Sequence, residues 1–347
     1  MKAAIIAFNN IIYSPYIKTY SDFLDKKNIC YDVILPDRNN IDEDLGEKLY
    51  KIKWYSNKGK ISNCLFFRKE VLKILKRNKY DFIFVLTTMP AVLLSTYLKR
   101  KYKNRYLVDV RDYTQENLKP YYWIECGVIK DAAMRVISSK GFEKFLPKYK
   151  YFLVHNLSQD FDSPASFFEK NTDGKIRIGY VGSISYIEHC KHMIDLVVKD
   201  ERFVFHFYGR ESERKEISSY IDTLKNDRIK YFGKYTPDEK ANIINSIDLL
   251  FNVYGNETPL VKYAISNKFY DSLYYKKPLL TSPDTFMSLQ SGEYSFDIDY
   301  NTANLDDLYE WYCSLDGEKM VTFMNWAFKG FDNDMLRFEE ELNRILS

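Results

Sequence analysis

The chain has 347 residues, of which 46% are hydrophobic and 29% charged, with a formal net charge of +3. This is the composition of a globular protein, and the length predicts two domains that each bury a core. Five scattered cysteines without a Cys-x-x-Cys pair, and only four histidines, disfavour a disulfide framework or a zinc site and favour a reducing cytoplasm.

The first half alternates short apolar runs with helical periodicity, which predicts βα units and a parallel sheet. The opening segment, MKAAIIAFNN, is too short in its apolar run for a signal peptide and predicts the first strand. Predicted strands are 3–7, 31–35, 82–86, 105–110 and 151–154, and predicted helices lie near 15–28, 62–78, 90–103 and 127–142.

The longest uncharged run spans residues 82–98. It lies at the short limit for a bilayer span and contains Pro90. We interpret it as a buried strand, a turn and a helix that begins at Pro90, with a transmembrane segment as the alternative.

Ser, Asp, Pro and Gly then interrupt the pattern and predict an interdomain linker at 161–175. A second strand series follows, namely IRIGYVG, FVFHFYG, IKYFG, DLLFNVYG and PLLTS, and helical segments at 319–328 and 334–346 close the chain. The predicted fold class is α/β, with two Rossmann-like doubly wound domains facing a cleft. The domains are 1–160 and 176–325, and a C-terminal helix at 326–347 packs back on the first domain.

The charge divides unevenly between the halves. Residues 1–160 hold 29 Lys and Arg against 17 Asp and Glu, whereas residues 161–347 hold 22 against 31. The first half is therefore basic and contains aromatic-laced stretches such as KLYKIKWYSNKGK. This indicates an anionic partner, either a membrane surface or nucleic acid, with a merely solvated basic face as the alternative.

Two strand ends in the second domain have residues that suit phosphate. Gly182 permits close backbone approach, and Ser183 beside it can donate to an anion. Arg210 follows the next strand and suits a phosphate or a base. The segment lacks the Gly-x-Gly-x-x-Gly fingerprint, which disfavours an NAD enzyme.

The segment SNKFYDSLYYKKPLLTS predicts a helix, a turn and a buried strand. Lys268 and Asp271 fall on one face of this helix, near an N-terminus whose dipole favours an anion rather than a lysine. One interpretation is that Lys268 and Asp271 form a solvent-exposed i,i+3 ion pair. The other is that Lys268 with the helix amides holds a diphosphate while Asp271 binds ribose hydroxyls.

These segments together resemble the donor half of GT-B glycosyltransferases of bacterial capsule, O-antigen and exopolysaccharide clusters. LVDVRDYTQEN, VISSKGFEKFLPKYKYFLVHN and AFNNIIYSPYIKTYSDFL resemble the acceptor half. The resemblance implies that 1–160 binds the acceptor and 176–325 binds the nucleotide-sugar.

The resemblance also assigns roles to individual residues. Gly182, Ser183, Arg210 and Asn267 fall on the donor side. Lys268 matches a lysine that contacts the donor diphosphate in a related glucuronosyltransferase.

Asp271 matches the second Glu of the Glu-x₇-Glu motif of family 4, which holds the ribose. The first Glu would fall at Tyr263, and Glu257 lies too far upstream to replace it simply. The sequence therefore does not decide between the retaining mechanism typical of family 4 and an inverting one. Lys191 is a candidate to reach the Gly182 turn, which contains no arginine.

An inverting transferase needs a base for the acceptor hydroxyl. Asp112 is the first candidate and Asp109 the alternative, although Arg111 between them can hold one carboxylate in a structural pair. Asn9, Arg111 and His155 are candidates on the acceptor side, and His155 is open to a packing role instead.

We expect a metal-independent glycosyltransferase without a cofactor. Asp297-x-Asp299 has the metal-binding pattern of the other glycosyltransferase fold, but the pattern is short and common. The expected donor is a UDP-sugar and the expected acceptor a lipid-linked oligosaccharide. The enzyme would lie against anionic lipid on the cytoplasmic face of the plasma membrane, without binding nucleic acid. A nucleotide-sugar epimerase and a non-catalytic binding subunit are the alternatives.

Overall fold

The computed structural model describes residues 1–38, 40–157, 168, 170 and 174–347. The chain divides into two compact units. Unit 1 comprises Met1–Gln159 with Phe331–Ser347, and unit 2 comprises Asp160–Gly330. The predicted linker at 161–175 lies mostly outside the described residues.

A parallel sheet of seven strands, in the order β3-β2-β1-β4-β5-β6-β7, forms the centre of unit 1. Its strands are β1 (Lys2–Ile6), β2 (Cys30–Asp37), β3 (Lys48–Lys53), β4 (Phe82–Leu86), β5 (Tyr106–Val110), β6 (Met134–Ile137) and β7 (Phe152–Leu153). The helices between them are α1 (Ile17–Lys26), α2 (Lys60–Arg77), α3 (Thr88–Lys101) and α4 (Lys119–Asp131). Every residue of β4 and β5 is buried, as expected where helices cover both faces of a parallel sheet.

Unit 2 is built on a six-stranded parallel sheet in the order β10-β9-β8-β11-β12-β13. Its strands are β8 (Ile176–Val181), β9 (Phe203–Tyr208), β10 (Ile229–Gly233), β11 (Leu249–Phe251), β12 (Leu279–Thr281) and β13 (Ser295–Asp297). Its helices are α5 (Ile187–Val198), α6 (Glu216–Leu224), α7 (Lys240–Asn245), α8 (Pro259–Tyr263), α9 (Asn267–Tyr275), α10 (Phe286–Ser291), α11 (Leu305–Ser314) and α12 (Gly317–Leu346). The predicted class, two Rossmann-like α/β domains, is confirmed.

The last helix contributes to both units, because their boundary at Gly330 falls within α12. The sequence predicted two separate helical segments here, which was wrong. Phe338 and Leu342 are fully buried in the core of unit 1 beside residues of β1 and β4. The ring of Phe338 meets that of Tyr20 edge-on, with 5.8 Å between centroids.

The helix predicted near 127–142 was also wrong. Helix α4 ends at Asp131, and β6 follows at once, with Met134 paired to Leu107 and Ile137 to Val110 of β5. The segment forms a strand because the edge of β5 offers it a backbone partner, and tertiary pairing overrides local helical periodicity.

Strand β3 was missed altogether. It lies within the basic stretch assigned above to an anionic partner, and its Lys48, Lys51 and Lys53 are exposed. Lysines on an outermost strand prevent edge-to-edge pairing with another sheet, so part of this basic charge has a structural explanation.

A lysine is fully buried in unit 2 where α9 ends. Lys276 adopts a left-handed conformation, with φ of 54°, and its Nζ donates to the carbonyl of Leu273 at 2.7 Å. The same amine lies 5.2 Å from the ring centroid of Phe328 in α12. Burial lowers the pKa of Lys276 to about 8 from its ordinary 10.5.

We expect Lys276→Met to stabilise unit 2 at pH 7 by about 1–2 kcal/mol, because the buried cation is replaced by an apolar chain. Between pH 8 and 10.5 the unfolded wild-type chain binds a proton that the folded chain has released, so its stability rises with pH in that window. The variant lacks this rise. Urea unfolding of both proteins at pH 7 and pH 10 measures the difference, and parallel pH dependence would contradict the assignment.

Candidate functional site

The strand order of unit 2 reverses between β8 and β11. Strands β9 and β10 lie to one side of this point, and β12 and β13 lie to the other. Loops that leave β8 and β11 therefore diverge at the carboxyl edge of the sheet, which is where open α/β sheets bind ligands. Gly182 begins the first of these loops, and residues 252–258 form the second, up to α8.

Two glycine turns meet beside this point. Gly182 has φ of +121° and Gly209, after β9, has φ of +145°. A Cβ at Gly209 would overlap the carbonyl oxygen of Gly182. Both positive φ angles favour glycine, and at 209 the close approach also excludes a side chain. The turn after β8 therefore presents main chain rather than side chain.

Lys268 is the buried cation of this region. It is the second residue of α9 and is only 7% exposed. Its Nζ donates to Oη of Tyr254 at 2.5 Å and lies 4.4 Å from the ring centroid of Tyr180. A Cβ placed on Gly182 would lie 3.7 Å from the same nitrogen. The amine therefore lies against the glycine turn.

Within the described part of the chain, no carboxylate forms an ion pair with Lys268. Burial lowers its pKa, and the neighbouring Tyr180 and Asp271 oppose that shift. Its direct contacts in the described residues are a phenol and aromatic faces, and the lowered pKa shows that these and the more distant Asp271 do not compensate its burial in full. An anion that entered here would therefore stabilise the charged form of the amine.

The phenol of Tyr254 is held from several sides. Oγ of Ser282 accepts the main-chain N–H of Tyr254 at 3.0 Å and that of Gly255 at 2.8 Å. The ring of Tyr254 stacks on that of Tyr186, with 4.3 Å between centroids and 19° between planes. These contacts fix the phenol, and through it the amine of Lys268.

Asp271 lies one turn beyond Lys268 in α9 and is also buried. Its Oδ1 accepts from Nζ of Lys240, the first residue of α7, at 2.6 Å. Burial raises the pKa of this carboxyl, while Lys240 and then Lys268 oppose the shift. The sequence singled out Asp271 but not Lys240, because nothing in local spacing links residues 31 positions apart.

The other donor-side candidates lie close by. Ser183 is exposed in the glycine turn, and its carbonyl accepts from Oη of Tyr180 at 3.0 Å. Arg210 is exposed, and its carbonyl accepts from Ile184 at 2.8 Å, which ties the two turns together. Asn267 is the exposed first residue of α9. Lys191 instead pairs with Glu188 at 3.4 Å.

Two aspartates of unit 1 were candidates for the catalytic base, and the structure separates them. Asp109 is fully buried, and its Oδ2 accepts from Oη of Tyr20 at 2.6 Å and from Nε of Arg111 at 2.7 Å. Asp112, after the end of β5, is exposed. Loss of solvation among neighbouring atoms raises the pKa of Asp112, and Arg111 opposes that rise. Of the pair, only Asp112 is accessible to a substrate.

Arg111 and His155 have structural partners within unit 1. Arg111 is buried, donates from Nη1 to the carbonyl of Val154 at 3.1 Å, and lies over the ring of Tyr16. His155 contacts α12, with Nε2 at 3.2 Å from Oδ2 of Asp334.

Asn9 lies in the loop after β1, at the point where the strand order of unit 1 reverses between β1 and β4. Unlike Arg111 and His155, it therefore occupies the position in its sheet where a ligand is expected.

The Asp297-x-Asp299 pattern lies at the end of β13. Both oxygens of Asp297 accept from hydroxyls, Oδ1 from Thr281 at 2.6 Å and Oδ2 from Ser288 at 2.7 Å. Among the residues described, no three His, Cys, Asp or Glu side chains group closely enough to hold a metal ion. In the same residues, no helix has the length and apolar character needed to cross a membrane.

Residues 5–138 match the model of the family described as Glycosyl transferase 4-like. No match to the chain was found among curated proteins. Among solved structures, sucrose-phosphate synthase from Thermosynechococcus elongatus has a TM-score of 0.74 at 10% sequence identity, over 100% of this chain and 99% of that one.

Anabaena HepE in complex with UDP and glucose has a TM-score of 0.64 at 11% identity, over 100% of this chain and 99% of its own. The lipopolysaccharide outer core galactosyltransferase WaaB has a TM-score of 0.61 at 13% identity, with coverage of 100% and 99%. At these identities the likeness shows the fold. The chain thus has the fold of GT-B glycosyltransferases, and its residues 5–138 match the glycosyl transferase 4-like family.

Proposed function

We propose that this protein is a glycosyltransferase that moves a sugar from a nucleotide-sugar to a lipid-linked saccharide in bacterial surface polysaccharide synthesis. The observation that carries the proposal is the amine of Lys268, which is buried against a glycine turn and forms no ion pair with a carboxylate among the described residues. A diphosphate would bring negative charge to this buried amine, and it is common to all nucleoside diphosphate sugars.

The same group would serve the reaction. As the bond from the sugar to the diphosphate breaks, negative charge develops on the leaving phosphate oxygen. Lys268 and the positive end of the α9 dipole would stabilise that charge from a preformed position. This would supply the role that a metal ion has in other transferases.

In an inverting reaction, Asp112 would take the proton of the acceptor hydroxyl as the new glycosidic bond forms. Its exposure and raised pKa suit a group that must hold a proton briefly and release it. A retaining reaction would not need this base. The donor nucleotide we propose is UDP, which one structural neighbour holds together with glucose.

We expect Lys268→Met to weaken binding of UDP at least tenfold, because the variant leaves the diphosphate without its buried cation. Asp271→Asn should also weaken binding, through loss of the carboxylate that we assign to the ribose. Calorimetric titration with UDP, GDP and ADP measures both effects and identifies the nucleobase that the site prefers.

Lys199→Met is a matched control for this titration, since Lys199 is exposed just beyond the far end of α5. Asp112→Asn is a second control in the other unit. Neither should change nucleotide affinity. The proposal is overturned if wild-type protein binds none of the three nucleotides, or if Lys268→Met binds as tightly as Lys199→Met.

We also propose that unit 1 lies on an anionic membrane surface, where a lipid-linked acceptor would be found. Trp123, in α4, is 69% exposed, and Leu118 and Ile124 beside it are exposed too. Lys119 is adjacent in sequence, and the amine of Lys99 lies against Gly127 of the same helix. Exposed aromatic and aliphatic groups among lysines suit the interface of an anionic bilayer.

Trp123→Ser should reduce co-sedimentation with phosphatidylglycerol-containing liposomes several-fold, because the indole contributes apolar area to the interface. Binding should also fall as NaCl is raised, since charge attraction is screened. Trp326→Ser is the matched control, because Trp326 in unit 2 is 70% exposed. Equal wild-type binding to neutral and anionic vesicles would remove the membrane proposal while leaving the nucleotide site intact.

A further inference from the structure

The loop after β11 carries a second polar pair, which the sequence did not connect. Nε2 of His189, in the first turn of α5, lies 4.0 Å from Oε1 of Glu257. Gly255 lies between the two, with φ of +81°. A Cβ on Gly255 would overlap the Glu257 carboxylate and come within 2.7 Å of Nε2. The absence of a side chain at position 255 therefore leaves the space that the pair occupies.

The separation of this pair is too long for a hydrogen bond between its members. Burial lowers the pKa of His189, and Glu257 opposes that shift, so the imidazole is neutral at pH 7. Nδ1 of His189 is buried and has no hydrogen-bond partner among the described residues. We therefore assign the proton to Nε2, where it faces the carboxylate.

A neutral imidazole N–H beside an ionised carboxylate is one donor and one acceptor, about 4 Å apart. An alcohol oxygen placed between them can accept from Nε2–H and donate to the carboxylate, with both contacts near ordinary hydrogen-bond length. An anionic oxygen in that position would accept from Nε2–H but be repelled by the carboxylate.

The pair lies next to the diphosphate position. Glu257 is three residues beyond Tyr254, whose phenol touches the amine of Lys268, and Ser282 holds the intervening backbone. His189 is three residues beyond Tyr186, whose ring stacks on Tyr254. A sugar is joined directly to the second phosphate of its nucleotide, so its hydroxyls lie within a few ångströms of a diphosphate held by Lys268.

We propose that Glu257 and His189 together bind the C6 hydroxyl group of the donor sugar, so that the site takes neutral hexoses and disfavours hexuronates, which carry a carboxylate at C6. This inference rests on the proposed function and adds the class of sugar to it. Glu257 discriminates by charge, because it repels a sugar carboxylate. His189 donates a hydrogen bond from Nε2–H, which a hydroxyl oxygen can accept and a methyl group cannot.

The test compares the affinities of UDP, UDP-glucose and UDP-glucuronic acid for wild type, Glu257→Gln and His189→Gln. Wild type should bind UDP-glucose about tenfold more tightly than UDP-glucuronic acid, as expected for a charge-assisted hydrogen bond replaced by repulsion. Both variants should lose most of that preference and keep the affinity for UDP itself. Glu188→Gln is the control, because Glu188 adjoins His189 in α5 but pairs with Lys191.

The outcomes separate the two proposals. If wild type binds none of UDP, GDP and ADP, the proposed function fails, and the sugar assignment fails with it. If UDP binds but the two UDP-sugars bind equally, or Glu257→Gln preserves the preference, the sugar assignment alone is wrong. Loss of UDP affinity in Glu257→Gln would also overturn it, since the carboxylate would then act on the diphosphate position.

Discussion

A buried lysine amine, which forms no ion pair with a carboxylate in the part of the chain that the structure describes, imposes the main constraint on unit 2. Desolvation of an ammonium group is costly, and the contacts of the Lys268 amine in the described residues are the phenol of Tyr254 and the face of Tyr180. Ser282 fixes the main chain of Tyr254, and Tyr186 stacks on its ring, so the amine has little freedom to move toward solvent.

The two neighbouring charges of α9, Lys268 and Asp271, have different partners. Asp271 lies in the same helix as Lys268, yet its ion pair is with Lys240 from a separate helix. Because Asp271 is paired with Lys240, it acts on Lys268 only at a distance and forms no ion pair with it in the described residues. The glycines at 182 and 209 complete the geometry, since they keep side chains away from the main chain that an anion would approach.

In unit 1, residue type and strand position were not enough to predict which aspartate is accessible. Asp109 lies within the predicted strand 105–110 and Asp112 follows it, and the sequence left both as candidates for the base, with Asp112 first. Asp109 is the last-but-one residue of β5 and points into a buried contact with Tyr20 and Arg111, whereas Asp112 lies beyond the strand end. The alternative considered for Arg111, a structural pair, is the one that the geometry supports.

The sequence alone predicted two parallel α/β units, glycine turns after the strands and a lysine at the start of α9, because period, turn chemistry and helix position are local properties. It failed at β6, β3 and the continuous α12. In these cases a neighbouring strand or a packed core outweighed local preference. The tertiary structure decided that Lys240 satisfies Asp271, that Tyr254 holds Lys268, and that Glu257 lies by His189. These contacts join residues 14 to 68 positions apart, and chain separation of that order leaves no periodic trace in a sequence.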